Sequence, residues 1–286
     1  MNRTFRSLVY PYVVWISIMI VVPFLLIFLY SITESRGGPA NLKFTLSHYK
    51  EFFSATNIKI LSKSFILAFQ TTIYCLILGF PTAWIISKIS KSKQSVIILF
   101  FILPMWINML LRTYAWQIIL GRNGILSTIL RPPLGLLGID FQGLLYTDAA
   151  VIIGMVYNFL PFMVLPIYTT LIKIDKNIID AAYDLGATTR QVFLRVIFPL
   201  SIPGIVTGII MVFLPSISSF AIPRLLGGGQ YVLIGNLIEK QFYLLGNWNF
   251  GSAISVILMI IILLSMRIMK NTDEAKTSGG GLGIPW

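Results

Sequence analysis

Side chains able to do covalent or proton chemistry are scarce in this sequence. Its 286 residues include one cysteine, one histidine and ten acids. Cys75 lies in an apolar run and His48 in a polar connection far from it, so an intrachain disulfide and a cysteine-based metal cluster are both excluded. An enzyme working at membrane depth needs His, Asp, Glu or Cys brought together, and no stretch spaces them that way. What stands out instead is the polar stretch from Asp175 to Pro199. It carries Asp175, Lys176, Asp180, Asp184, Arg190 and Arg195, alternating with Ala, Ile, Leu and Phe. Such a segment is too polar to cross a bilayer and too apolar to be a free linker. Its most natural use is mechanical: to lie outside the membrane and pack on a surface, a partner's or its own domain's.

Local signals predict two short helices in that stretch. Asp175 can cap the first free N–H groups of a helix running through Asp180-Ala181-Ala182-Tyr183-Asp184. Gly186 stands where that helix needs a left-handed residue to end. Thr188-Thr189-Arg190-Gln191 has the form of a capping box, so a second helix starts at once and is expected to run until Pro199. Ala181 and Ala182 are small enough to let another surface approach the backbone closely. Phe193 and Ile197, four apart, share one helix face. From the residues alone two readings stand level: an elbow docked on a partner, or a loop folded back on its own membrane domain.

The elements that hold this elbow are apolar spans. The chain is 56% hydrophobic and 11% charged, with mean hydropathy +0.84, whereas a soluble domain carries roughly a quarter charged residues. About 20 apolar residues cross the hydrocarbon core. By that measure spans fall at about 8–31, 61–87, 95–119, 148–172, 200–222 and 251–269, with the polar stretch at 173–199 and a flexible tail at 271–286. The first run is too long for a signal peptide and lacks a small-residue cleavage site, so it is read as a retained span. Arg36-Gly37-Gly38-Pro39 signals a turn, Phe44 to Phe53 a short amphipathic helix at the interface, 121–147 a Gly- and Pro-rich external loop, and 232–243 a short helix.

Orientation comes from Lys88-Ile89-Ser90-Lys91-Ser92-Lys93, a short loop with three lysines and no acid. Short loops weigh most in the positive-inside rule. This one faces the cytoplasm, and by parity both termini and 173–199 do too. Counted over all loops, external basic residues nearly match internal ones, so the orientation rests on this loop. The net charge of +12 sits mostly in loops and at span ends; it fits membrane orientation and anionic lipid head groups, not nucleic acid.

A solute path needs polar or aromatic groups facing a cavity within the spans. The candidates are Ser216, Ser218, Ser219 and Phe220 beside Pro215, then Trp106 and Asn108, then Tyr157 and Asn158. Each has a bland alternative, since small hydroxyls often only bond helices together. Arg112 reads as an interfacial anchor or an ion-pair partner. Acids near the membrane are limited to Asp148 and Glu239, both near outer ends. No phosphate-binding loop of the Gly-x-x-x-x-Gly-Lys-Ser/Thr type is present, so this chain does not bind nucleotide.

The polar stretch resembles the EAA loop of ABC-importer permeases. That pattern falls on Asp180-Ala181-Ala182, Gly186, Val196 and Phe198-Pro199, with Asp, Val and Phe replacing Glu, Ile and Leu. Further stretches are similar to the spermidine/putrescine permease group, and most similar to its B-type subunit. They are Leu103-Pro104-Met105-Trp106, Leu111 to Trp116, Tyr157-Asn158-Phe159-Leu160-Pro161-Phe162-Met163, Gly228-Gly229 with Ile234 to Ile238, and Asn247-Trp248-Asn249-Phe250-Gly251. Asn249 departs from the group's Trp-Pro-Phe-Gly. The resemblance implies an all-α membrane protein of six transmembrane helices with the type I ABC-importer permease fold, in the bacterial cytoplasmic (inner) membrane. It implies a non-catalytic subunit forming half of a polyamine path. Asp180, Ala181, Ala182, Asp184, Gly186, Arg190 and Pro199 would couple it to an ATPase. The chain itself would hold no cofactor; ATP and Mg²⁺ would sit in a dimer of cytoplasmic ATP-binding subunits. A second permease in a heterodimer and an extracytoplasmic substrate-binding protein complete the implied assembly. A permease of the same group for ferric iron, phosphonate or sulfate, or a channel-like protein, is the alternative.

Overall fold

The computed structural model describes residues 3–35, 42–136, 142–229 and 231–278. Among them five helices are long and apolar enough to cross a membrane, or six if one bent pair counts as a single span. The elements run α1 (Arg3–Ser31), β1 (Thr33–Ser35), β2 (Leu42–Phe44), α2 (Ser47–Phe52), α3 (Ala55–Lys88), α4 (Lys91–Trp106), α5 (Met109–Leu120), α6 (Ile125–Leu136) and α7 (Asp148–Leu171). Then follow α8 (Lys176–Asp184), α9 (Thr189–Val192), a π turn (Phe193–Ile197), α10 (Phe198–Ser218), α11 (Ala221–Leu226), α12 (Ile234–Glu239), a second π turn (Lys240–Leu244) and α13 (Trp248–Ser278). The chain divides into two compact units, one holding 1–61 and 237–264, the other 62–236 and 265–286.

In the first unit α1 leads into an antiparallel pair of short strands, with Thr33 opposite Phe44 and Ser35 opposite Leu42. The helix expected over Phe44–Phe53 is confined to Ser47–Phe52, because the residues before it pair as β2. The Arg36–Pro39 turn lies outside the described residues. Three bonds tie this corner together: Tyr49 Oη donates to Ser31 Oγ at 2.9 Å, and Asn249 Nδ2 donates to the carbonyls of Tyr30 at 3.1 Å and Thr33 at 2.6 Å. His48 lies beside the Phe250 ring, centroids 6.4 Å apart, and 4.0 Å from the Glu51 carboxylate.

In the second unit α7 is the central helix, with Val151, Met155, Met163, Val164 and Ile167 fully buried. It packs lengthwise on α10, and small residues set the distance. A Cβ on Gly204 would sit 2.5 Å from Thr170 Oγ1 and 2.7 Å from the Pro166 carbonyl oxygen; one on Gly208 would sit 2.7 Å from Met163 Sδ. Where lipid tails are as apolar as side chains, such close approach replaces the hydrophobic drive between helices.

Several boundaries depart from the sequence expectation. The span expected at 95–119 is a bent pair, α4 and α5 meeting at 95°. Ile107 and Asn108 are both extended, ψ 136° and 130°, which ends one helix and begins another. Asn108 Oδ1 accepts the Leu110 N–H at 2.8 Å, satisfying a donor that the break exposes. The external loop holds α6, and 137–141 lie outside the described residues. The span expected to reach 222 stops at Ser218, where Ser219 turns extended and α11 begins. The expected flexible tail is helical through Ser278, and 279–286 lie outside the described residues.

Candidate functional site

The elbow between α7 and α10 forms as its local chemistry dictates. Asp175 Oδ1 accepts the Asn177 N–H at 3.0 Å and so caps α8. At the other end Gly186 has φ +80°, the Ala187 N–H donates to the Ala182 carbonyl at 3.1 Å, and the Gly186 N–H donates to Tyr183 at 2.8 Å. Those paired bonds are a Schellman stop, which needs a left-handed residue at Gly186. The capping box is complete: Thr188 Oγ1 accepts from the Gln191 N–H at 3.4 Å, and Gln191 Oε1 accepts from the Thr188 N–H at 2.8 Å.

Pro199 does not end the second helix. α9, the π turn and α10 form one continuous run from Thr189 to Ser218. A proline inside a regular α-helix clashes with the carbonyl four residues back and leaves it without a donor. Here the turn just before it is widened, and the Phe198 N–H reaches back five residues to the Phe193 carbonyl. The wider turn makes room for the ring and carries the helix straight into α10.

That turn is also the anchor. The Phe193 ring lies 4.9 Å from Trp84, 5.9 Å from Phe80 and 6.5 Å from Phe198, centroid to centroid, so α3 grips the elbow through four aromatic rings. Lys88 Nζ sits 4.1 Å from the centroid of the Trp84 ring. α8 then presents two faces. Ile179 and Ala182 pack inward against the apolar core. Ile178, Ala181 and Leu185, on the neighbouring face about 100° around the helix, are exposed, Leu185 at 89%. Asp180, Asp184, Gly186, Arg190 and Pro199 are exposed as well. A groove of about 390 Å³ runs beside Ala182, Leu185, Ala187, Gln191, Arg195 and Val196. Of the alanine pair, Ala181 faces out and Ala182 inward.

The residues proposed for a path are not gathered in one place. Tyr157 is partly exposed, meets Trp116 edge-on at 5.3 Å, and lines a mostly apolar cavity of about 490 Å³ with Tyr74, Leu78 and Trp116. Asn158 points the other way: it is 3% exposed, and its Nδ2 donates to the Gly154 carbonyl at 2.8 Å. Ser216 is buried and bonded to its own helix, Oγ to the Val212 carbonyl at 2.6 Å. Ser218 is exposed and also bonds back, to Leu214 at 3.1 Å. Trp106 and Asn108 are exposed at the bend, and Asn108 is engaged as a cap. Ser219 and Phe220 form the break after α10. The break is tied by Asn236 Nδ2, which donates to the Phe220 carbonyl at 2.7 Å. The Gly235 backbone sits so close to the Ser219 carbonyl that a Cβ would approach it to 2.8 Å. Sequence reasoning missed Asn236 as the tie and Trp116 as the partner of Tyr157. Arg112, read as an anchor or an ion-pair partner, holds Nε and one terminal nitrogen buried without a hydrogen bond. Among the described residues no three His, Cys, Asp or Glu come together as a metal site.

Three comparisons bear on this arrangement. The family described as the binding-protein-dependent transport system inner membrane component matches residues 1–276. The spermidine/putrescine transport system permease protein PotB of Haemophilus influenzae is 36% identical over 261 residues, 91% of each chain. PotB of Escherichia coli K12 is 36% identical over 255 residues, covering 89% of this chain and 92% of that one. Among solved structures, a bacterial ABC transporter involved in the import of the acidic polysaccharide alginate superposes with TM-score 0.76 at 15% identity, over 94% of this chain and 95% of that one. A chain of the MetNI methionine ABC transporter in an inward-facing conformation reaches TM-score 0.55 over 77% of this chain. At such identities the likeness is of fold, the type I importer permease architecture. A multi-pass inner-membrane chain, matched nearly end to end, thus belongs to the binding-protein-dependent transport system inner membrane component family, the membrane permeases of ABC transporters.

Proposed function

We propose that this chain forms one half of the path of a polyamine importer. A second, different permease forms the other half. A dimer of cytoplasmic ATP-binding subunits holds ATP and Mg²⁺, and an extracytoplasmic binding protein delivers the solute. Both termini and the elbow face the cytoplasm. The polyamine substrate is supported by the curated relatives, named as spermidine/putrescine permeases.

The observation that carries the coupling role is the outward apolar face of α8. In a segment too polar to enter lipid, Leu185 stands 89% exposed beside Ile178 and Ala181. An apolar face of this kind outside the bilayer needs a partner surface. The elbow behind it transmits force because every joint is tight: a capped helix, a fixed glycine turn, a gapless run into α10, and a cluster of four aromatic rings, two of them on α3. Asp180, Asp184 and Arg190 fall on the exposed side as polar contacts around that face. The solute path draws on Trp106, Asn108, Tyr157, Ser218, Ser219 and Phe220; Asn158 and Ser216 serve helix packing there.

The test is uptake of labelled spermidine into proteoliposomes holding all subunits. The Leu185→Asp variant keeps the fold, because Leu185 touches little of its own chain. Truncating an interface anchor costs about 2 kcal/mol, roughly thirtyfold in assembly affinity. Leu185→Asp is therefore expected to lose the ATP-binding subunits on purification and to lose uptake, with membrane accumulation unchanged. Normal uptake by that variant would overturn the docking role. Uptake without ATP would overturn the importer itself.

A further inference from the structure

Three residues distant in the sequence meet at the N-terminus of α7. Lys63 Nζ, from α3, lies 3.6 Å from Asp148 Oδ1 and 3.8 Å from the centroid of the Tyr231 ring. A primary ammonium therefore rests between a carboxylate and an aromatic face, the two groups that hold alkylammonium ions best. Beside it is a cavity of about 560 Å³ lined by Tyr146, Gly227, Gly228 and Tyr231.

The cavity wall is held in uncommon conformations. Tyr146 has φ +69°, the one non-glycine residue with positive φ among those described, and its N–H donates to the Leu226 carbonyl at 2.8 Å. Gly228, at φ +73°, leaves room for the Tyr146 ring; a Cβ there would sit 2.6 Å from it. Strained backbone of this kind persists where the surroundings over-determine it, and it clusters at binding sites. Tyr231 is 7% exposed. Burial, and then the Asp148 carboxylate beside it, push its phenol well above the usual range, so it stays neutral. By contrast the Lys63 and Asp148 side chains are 44% and 67% exposed. A charge pair that wet adds little to stability, and water can exchange into it readily.

We propose that Asp148 and the Tyr231 ring form a primary-ammonium site which Lys63 fills in this structure, and that one end of an incoming polycation displaces Lys63 from it. The site rests on the polyamine reading above, which places α7's first turn on the outer side. Lysine's side chain is itself a terminal ammonium on an alkyl chain, so a site that fits Lys63 fits the end of a polyamine. A tethered competitor acts at an effective concentration near the millimolar range. Dilute free polyamine therefore does not dislodge it, whereas polyamine released beside it by a docked binding protein does. The site thereby favours delivered solute over solute arriving from bulk.

The test measures the KM for spermidine uptake by the complete transporter without its binding protein, in proteoliposomes. Removing the competitor with Lys63→Met is expected to lower the KM, by up to about tenfold if Lys63 fills the site nine-tenths of the time. Asp148→Asn is expected to raise it roughly two- to fivefold, the weight of one partly exposed charge pair. Tyr231→Phe keeps the ring and leaves the KM near wild type, while Tyr231→Leu raises it. If Lys63→Met does not accumulate in the membrane, Lys63→Gln carries the same expectation. A Lys63 variant with unchanged or raised KM, alongside wild-type spermidine uptake, overturns the site and leaves the polyamine importer standing. A wild-type transporter that takes up neither spermidine nor putrescine even with its binding protein present overturns the polyamine reading itself.

Discussion

Asn249 makes contacts that a proline at the same position cannot. Where the similar permease group has proline, this chain has an amide that donates to two carbonyls, those of Tyr30 and Thr33, and so clamps the start of α13 to the corner after α1. Asn249→Pro tests what the clamp is worth. Proline is tolerated in a first helical turn, because that turn's N–H groups have no partner within the helix, and the nearby Phe250 N–H keeps its bond to Asn247 Oδ1 at 3.1 Å. The helix is therefore expected to survive while both amide bonds disappear. Each such bond contributes about 1 kcal/mol net. The expected outcome is a lower melting temperature for the purified complex and faster proteolysis near β1, with uptake retained. A variant as stable as wild type would show that the amide bonds do no more than fill space. At this same scale the caps were legible from the chain alone. Asp175, Gly186, Thr188 and Gln191 act within four residues of themselves, so their types and order decide the geometry. The contact of Lys63, Asp148 and Tyr231 was not legible, since only tertiary folding brings three such distant positions together.

At the scale of elements, the sequence specified where apolar runs lie better than what they do inside the bilayer. A window of apolar residues has the same composition whether its helix is straight or turns through 95°, so α4 and α5 read as one span. Pro104 gave no sign of the bend, because the chain stays helical through it and breaks only at Ile107 and Asn108. Pro199 misled in the opposite sense: the π turn before it lets the helix continue. The α7–α10 contact is the element on which force transmission depends, and Gly204 is its narrowest point. The atoms that a side chain there would meet include the Pro166 carbonyl oxygen, a backbone atom that cannot swing aside. Gly204→Val is expected to push α10 from α7 and to cost several kcal/mol, as overpacking of a tight contact does. Thermal unfolding of the purified complex, or loss of the protein from the membrane, would report it. Gly229→Ala is the control, for open space surrounds that glycine and only its positive φ resists the change. Equal stability of the two variants would mean that α7 and α10 slide freely, and the elbow would then have no rigid lever behind it.

For the whole molecule, direction in the membrane decides whether the elbow can meet an ATPase at all. The basic loop 88–94 and the elbow must lie on one side for the coupling role to hold. One observation already ties them: Tyr168 Oη, near the end of α7, donates to Gln94 Oε1 at 3.0 Å, so that end of α7 and the start of α4 share a level. Which side of the membrane that level faces follows from the three lysines alone, through the positive-inside rule. Labelling can settle it cleanly, because the chain's one cysteine, Cys75, is fully buried and gives little background. Ser92→Cys introduces a thiol in the first turn of α4, among the three lysines, and Gly229→Cys one in the turn after α11. A membrane-impermeant maleimide is expected to modify Ser92→Cys in inside-out vesicles and spare it in intact cells stripped of their outer barrier. Gly229→Cys should give the reverse pattern. If both patterns were inverted, Leu185 and its neighbours would face the exterior, where no nucleotide motor works, and the Lys63 site would face the cytoplasm, where no delivered solute arrives. The two proposals would then fail together for one physical reason.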